Sequence, residues 1–222
     1  MTDKFERLRV DAAGREYGPV VRLARALYED GLSPEQVLRE CYGVDFPREF
    51  FAAAAAGPYT LDLLATLTNQ PWQPAIPPTR GGPAPRAHPY EPEEQRLRAV
   101  DPDLLPLVFL IPSGVGVENP HLVLCYRLSE LASGRSTVYG IRSAVYGFRE
   151  EATMPSEAVR RGDSLLTVLL EHHTDYVDDL VEMSENTEGK GEYDLVHPEE
   201  LKGARSMVDE IKTLQRAAET GP

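Results

Sequence analysis

The stretch LLPLVFLIPSGVGVENPHLVLCYRLSELASGRSTVYGIRSAVYGF, residues 104–148, decides the fold class. Two pieces of it, LLPLVFLIP (104–112) and HLVLCYRL (121–128), are continuous apolar runs. Two shorter ones, STVYGI (136–141) and SAVYGF (143–148), both carry Val-Tyr-Gly. β-Branched and aromatic residues bounded by Gly, Ser and Pro read as strands. Their spacing predicts an antiparallel meander of three to four strands. LSELASGRST, between two of them, reads as one helical turn closed by Gly134.

The flanks read as helix. In GPVVRLARALYEDG, Val20, Leu23, Leu27 and Tyr28 fall at helical spacing and Gly31 is a stop. In LSPEQVLRECYG, Ser33 is an N-cap, Pro34 fits the first helical position, and Gln36 completes a capping-box spacing. FPREFFAAAAAGP starts a helix with Pro47 at the first helical position and stops at Gly57-Pro58. YTLDLLATLTNQ (59–70) reads as another short apolar helix. After the strands, Asp163 or Ser164 caps a helix with a stripe at Leu165, Leu166, Leu169 and Leu170. A last helix carries Leu201, Ala204, Val208, Ile211 and Leu214 in phase.

Between the helical part and the strands, residues 70–92 hold eight prolines and two glycines in 23 residues. Proline fixes φ and removes donors, so this piece is expected to be neither helix nor central strand. It reads as a connector or a surface strap, with Trp72, the sole tryptophan, pinning it to the body by burial. A short helix, EPEEQRLRAV, follows it. The expected organisation is an N-terminal helical part (1–69), the Pro-rich connector (70–92), and a sheet with C-terminal helices (93–222), forming one domain overall. The expected class is α+β, a small mostly antiparallel sheet from residues 104–149 flanked by helices.

Composition narrows the function. Of 222 residues, 41 % are hydrophobic and 27 % charged, near the values for a folded soluble protein. The formal charge is −13 and the pI about 4.9, with no run of Lys or Arg beyond two, which argues against nucleic acid as a partner. No apolar run reaches the length of a membrane span, and the opening residues lack a signal-peptide core, so the expected compartment is the cytoplasm. Cys41 and Cys125 make no CxxC pair, and read as buried thiols.

No catalytic motif is specific here: there is no GxSxG, HExxH, P-loop or dinucleotide fingerprint. Gly114 and Gly116 fit a loop better than a phosphate cradle. His172 and His173 are adjacent on a helix and point about 100° apart, poor geometry for one metal. No metal or cofactor is expected. Arg127, Arg135, Arg142 and Arg149 read as partners of carboxylates within the protein.

The charge itself is concentrated. Residues 173–200 hold ten carboxylates and one cation, Lys190, a formal −9 out of −13. On a helix Asp175, Asp178, Asp179 and Glu182 stand at i, i+3, i+4 and i+7, hence on one face, with no interleaved Lys or Arg. Asp175, Asp178, Asp179, Glu182 and Glu185, with Tyr176 as an aromatic anchor, are the candidate partner-binding residues.

YGVDFPREFF (42–51) is similar to the Gly-x-x-x-Pro-x-x-apolar-apolar entry of the SUKH superfamily. The order LVFLI, LVLCYRL, STVYGI, SAVYGF and then a helix with SLLTVLLEH also resembles that family's sheet and closing helix. The resemblance covers about residues 33–180. It implies an α+β fold and a mode of action, binding, since many members are bacterial immunity proteins that neutralise a toxin. It implies no catalytic residues. The resulting expectation is a non-enzymatic inhibitor of a basic protein, a toxin for example. The alternatives are an enzyme with a dispersed site using His121 and Cys125, or an assembly protein that uses the strap and Trp72.

Overall fold

The computed structural model describes residues 4–57, 64–87, 89, 91–110, 122–142, 157–185 and 196–220. The fold is α+β. Among the described residues one antiparallel sheet has five strands in sequential order: β1 Ala65–Leu67, β2 Leu104–Leu110, β3 Leu122–Arg127, β4 Val138–Arg142 and β5 Val159–Gly162.

Every residue of β2 is buried, which is why LLPLVFL is apolar throughout rather than alternating. Leu105, Leu107, Val108 and Leu110 belong to the main core, whereas Leu104 and Phe109 belong to a smaller cluster on the opposite face. Leu107 and Val108, though adjacent, share the main core because the register to β3 slips between Pro106 and Val108. A bulge there shifts the alternation by one residue and gives Pro106, which has no N–H to donate, a tolerable place in the ladder. In β3, Val123 and Cys125 face the smaller cluster and Leu124 and Tyr126 the main core.

The sheet is wider than residues 104–149. β1 lies in a segment whose composition reads as helix, and instead pairs Ala65–Leu67 with Leu110–Val108. A short apolar run does not distinguish helix from strand, and here a free sheet edge decided it. The chain is then pinned by Thr68, whose N–H donates to Leu107 O at 3.0 Å and whose hydroxyl lies 2.9 Å from the same carbonyl. β5 is VRRG, exposed along most of its length and held by pairing to β4. The second Val-Tyr-Gly piece, SAVYGF, lies outside the described residues.

The helices are α1 Glu6–Ala12, α2 Tyr17–Glu29, α3 Pro34–Tyr42, α4 Arg48–Ala55, α5 Trp72–Ala75, α6 Glu91–Val100, α7 Leu128–Ala132, α8 Leu165–Glu185 and α9 Pro198–Thr220. The capping box of α3 forms: Gln36 N–H donates to Ser33 Oγ at 3.4 Å, and Ser33 N–H to Gln36 Oε1 at 2.9 Å. Gly43 closes that helix at φ 72°, a left-handed conformation that glycine adopts without a Cβ penalty. Pro47 stands one position earlier than expected, as the N-cap of α4. α8 packs against α9, α4 and β5.

The Pro-rich piece is a strap, and contrary to expectation it contains a short helix, α5, and a 3-10 turn at Pro78–Arg80. Pro71 and Pro74 fall at the cap and first turn of α5, where N–H groups have no intrahelical partner to lose. Trp72 is 1 % exposed and stacks on Phe50 at 4.4 Å, while its Nε1–H donates to Leu107 O at 2.7 Å. α2 holds the strap from outside through its carbonyls: Tyr28 Oη donates to Pro74 O at 2.9 Å, Arg25 Nη2 to Pro83 O at 2.6 Å, and Tyr17 Oη to Ala84 O at 2.8 Å.

Candidate functional site

α8 has two unlike sides. Leu165, Leu166, Val168, Leu169, His173 and Leu180 are buried. Asp175, Asp178, Glu182 and Glu185 are exposed and Asp179 is half-buried. At about 100° per residue these five carboxylates fill roughly a third of the helix circumference, on the side away from the buried stripe.

A carboxylate already holds the start of this helix. Ser164 is the N-cap, accepting from Thr167 N–H at 3.1 Å. Glu49, at the start of α4, accepts from Leu165 N–H at 2.7 Å, Leu166 N–H at 3.3 Å, Ser164 Oγ at 2.5 Å and Tyr126 Oη at 3.2 Å. A negative charge on the first N–H groups is favourable, and it ties α4, β3 and α8 together.

The other carboxylates of the described residues are often paired. Asp30 meets Lys4 and Glu40 meets Arg9, each at 2.5 Å, and Arg127 bridges Asp101 at 2.9 Å and Asp103 at 3.5 Å. Arg135 lies 3.5 Å from Glu130, and Arg39 pairs with Asp45. By contrast, no ion pair among the described residues reaches Asp175, Asp178, Asp179, Glu182 or Glu185.

Tyr176 does not stand among these carboxylates. It is half-buried on the side toward α9, where its hydroxyl donates to Glu200 Oε1 at 2.8 Å. Burial and then the Glu200 carboxylate push its phenol up to about 12. Its position is one residue, about 100°, away from Asp175, so it cannot share that face. The acidic residues between 186 and 195 lie outside the described residues, as does His121.

Cys125 is buried within the smaller core cluster, and burial pushes its thiol far above the ordinary value, so it is poorly suited to nucleophilic work. Among the described residues no group of three or more His, Cys, Asp or Glu is placed to hold a metal. Nor is any helix of the described residues long and apolar enough to cross a membrane.

Sequence reasoning missed a buried polar cluster at the head of α6. The Glu94 side chain is 0 % exposed. Its Oε1 accepts from Asn69 N–H at 2.7 Å and Asn69 Nδ2 at 2.8 Å; Oε2 accepts from Gln70 N–H at 3.4 Å and lies 3.6 Å from Arg98 Nη1. Gln70 in turn accepts from Tyr42 Oη at 3.1 Å and donates to Arg15 O at 2.9 Å. Burial pushes the Glu94 carboxyl up to about 7, against the opposing pull of the Asn69 N–H groups. The available signal was the i, i+4 pair Glu94 and Arg98, which reads from sequence as a surface pair.

The chain matches no family model, no curated protein and no solved structure.

Proposed function

We propose that this is a non-enzymatic binding protein of the immunity or antitoxin type, acting in the cytoplasm on a basic protein partner through the outer face of α8. The observation that carries the reading is the row Asp175, Asp178, Asp179, Glu182 and Glu185, which no cation of the described residues neutralises. A partner's Lys and Arg would supply the missing counter-charges. Carboxylates fixed on a rigid helix imitate a run of phosphates, and the excess charge steers a basic partner into fast, salt-sensitive association. The resemblance of YGVDFPREFF to the SUKH entry supports the same mode of action. Tyr176 serves here by orienting α9 through Glu200 rather than as an anchor.

The alternatives have less to work with. Cys125 is sealed in a core, and Trp72 spends both its ring and its N–H on internal partners.

The test is capture from the source cell's lysate at about 50 mM and about 500 mM salt, with the native chain and with D175N/D178N/D179N/E182Q/E185Q as baits. The expected result is a basic protein retained by the native chain at low salt, released at high salt, and absent from the variant. Retention by both baits alike, or by neither at low salt, overturns the reading.

A further inference from the structure

Below the acidic face of α8 lies a titratable group that the binding reading does not use. His173 is 2 % exposed, yet both of its ring nitrogens are engaged. Nδ1 lies 2.6 Å from Leu169 O, one turn back in the same helix, and Nε2 lies 3.1 Å from the backbone N–H of Leu64. A carbonyl can only accept and an amide N–H can only donate. The two contacts therefore require one tautomer: Nδ1 protonated and donating, Nε2 bare and accepting. Only the neutral ring satisfies both.

The second contact joins distant parts of the chain. Leu64 immediately precedes β1, a strand of three residues at the edge of the sheet. β1 pairs only with β2 among the described strands, so the bond to His173 is an independent hold on its entry.

Among the described residues no charge is placed to rescue a protonated ring. On the same helix His172 meets it edge-on at 5.5 Å, and a second imidazole favours the neutral form. From α4 come Arg48 and Glu49, the latter bound at the N-terminus of α8. From β5 come Arg160, paired with Asp163, and Arg161, which lies against Gly140. From α9 come Glu200, held by Tyr176, with Arg205 and Asp209 exposed. Among the described residues none of these charges acts on the ring; burial, the Leu169 carbonyl and His172 do.

We infer that His173 is a proton-operated latch between the entry of β1 and α8, closed by the neutral ring and opened when Nε2 gains a proton. Protonation sets an N–H against the N–H of Leu64, and it creates a buried charge that no carboxylate of the described residues meets. Opening releases the edge strand from the helix that carries the carboxylates. Histidine ordinarily titrates in mild acid, and burial holds this ring below that ordinary value, so the latch opens on the acid side of it.

The experiment is NMR on the full chain from about pH 8 to about pH 5, following the ring nitrogens of His173 and the hydrogen-exchange protection factors of Leu64, Val123 and Leu124. The Nδ1–H tautomer is expected at the upper end. As pH falls below the ordinary histidine value, the Leu64 protection factor is expected to fall by up to about tenfold per pH unit until His173 is protonated, while Val123 and Leu124 hold theirs. In His173→Gln, whose amide can donate to Leu169 O and accept from Leu64, the Leu64 factor is expected to stay level over the range. The inference is overturned if the neutral ring carries its proton on Nε2, or if the ring titrates while Leu64 is unmoved. It is equally overturned if the ring stays neutral to pH 5, or if every amide loses protection with one midpoint. The native-chain outcomes decide the matter even if the glutamine variant does not fold.

Discussion

Glu94→Gln is the substitution with the sharpest consequence. The Glu94 carboxyl is fully buried and is pushed from an ordinary value of 4.5 up to about 7. Three N–H contacts and Arg98 favour the carboxylate; loss of water disfavours it, and burial is the larger effect. The folded chain therefore holds this proton more tightly than the unfolded chain does. Stability from it is fully present below about pH 4.5 and is lost as pH rises through about 7. The span corresponds to about 3 kcal/mol. Glutamine stands in for the protonated carboxyl: its Oε1 still accepts from Asn69, and it never ionises. Urea unfolding of both chains between about pH 4.5 and about pH 8 gives the difference, from which titrating groups that do not interact with Glu94 cancel. The variant is expected to match the native chain at the acid end and to exceed it by about 3 kcal/mol at the alkaline end. A difference that is flat with pH, or that favours the native chain as pH rises, would refute the claim that burial outweighs the hydrogen bonds.

Two other substitutions test the joints of the fold. Glu49→Ala removes the acceptor for Leu165 N–H, Leu166 N–H, Ser164 and Tyr126, and is expected to cost about 2–3 kcal/mol in denaturant unfolding. Trp72→Ala empties a site stacked on Phe50 and leaves the strap unpinned, at an expected cost of about 3–5 kcal/mol. Its mass by light scattering is expected to stay that of the native chain, because the indole faces inward.

The central strands were legible because burial on both faces leaves only one kind of sequence: LLPLVFL and LVLCYR carry no polar residue until Arg127. β1 was not legible, since the run LATL (64–67) suits either element and the choice was made by the open edge of β2. β5 had no apolar period at all; VRRG is a strand because β4 pairs with it. The helix inside the strap was hidden by its prolines, which are harmless in a first turn. At the acidic face the i, i+3, i+4 and i+7 spacing was enough to place four carboxylates together. Tyr176 was misplaced by adjacency in sequence, and its partner Glu200 comes from another helix. Glu94 was invisible because a charged side chain flanked by charged neighbours reads as surface, and only the fold brings Asn69 and Gln70 over it.

The carboxylates of α8 are a burden on the helix that bears them, and this separates their use from their effect on folding. Asp175–Asp178, Asp175–Asp179, Asp178–Glu182, Asp179–Glu182 and Glu182–Glu185 are like-charged neighbours at i, i+3 or i+4. Such pairs cost about 0.2–0.5 kcal/mol each in an isolated helix, so the five together about 1–2.5 kcal/mol, less at ordinary salt. Glu182 and Glu185 also stand near the negative end of the helix dipole, where no basic residue occupies the last turn. The helix survives because its buried face, from Leu165 to Leu180, outweighs these terms. Neutralising all five as Asn and Gln is therefore expected to leave the chain as stable or more stable by up to about 2 kcal/mol, with the gain shrinking as salt is added. If the five carboxylates are a docking surface, the same variant loses its basic partner while gaining stability. Opposite signs on two readouts are what a merely structural role does not produce. A variant that unfolds more easily than the native chain at low salt would show that these carboxylates are matched by cations within the protein.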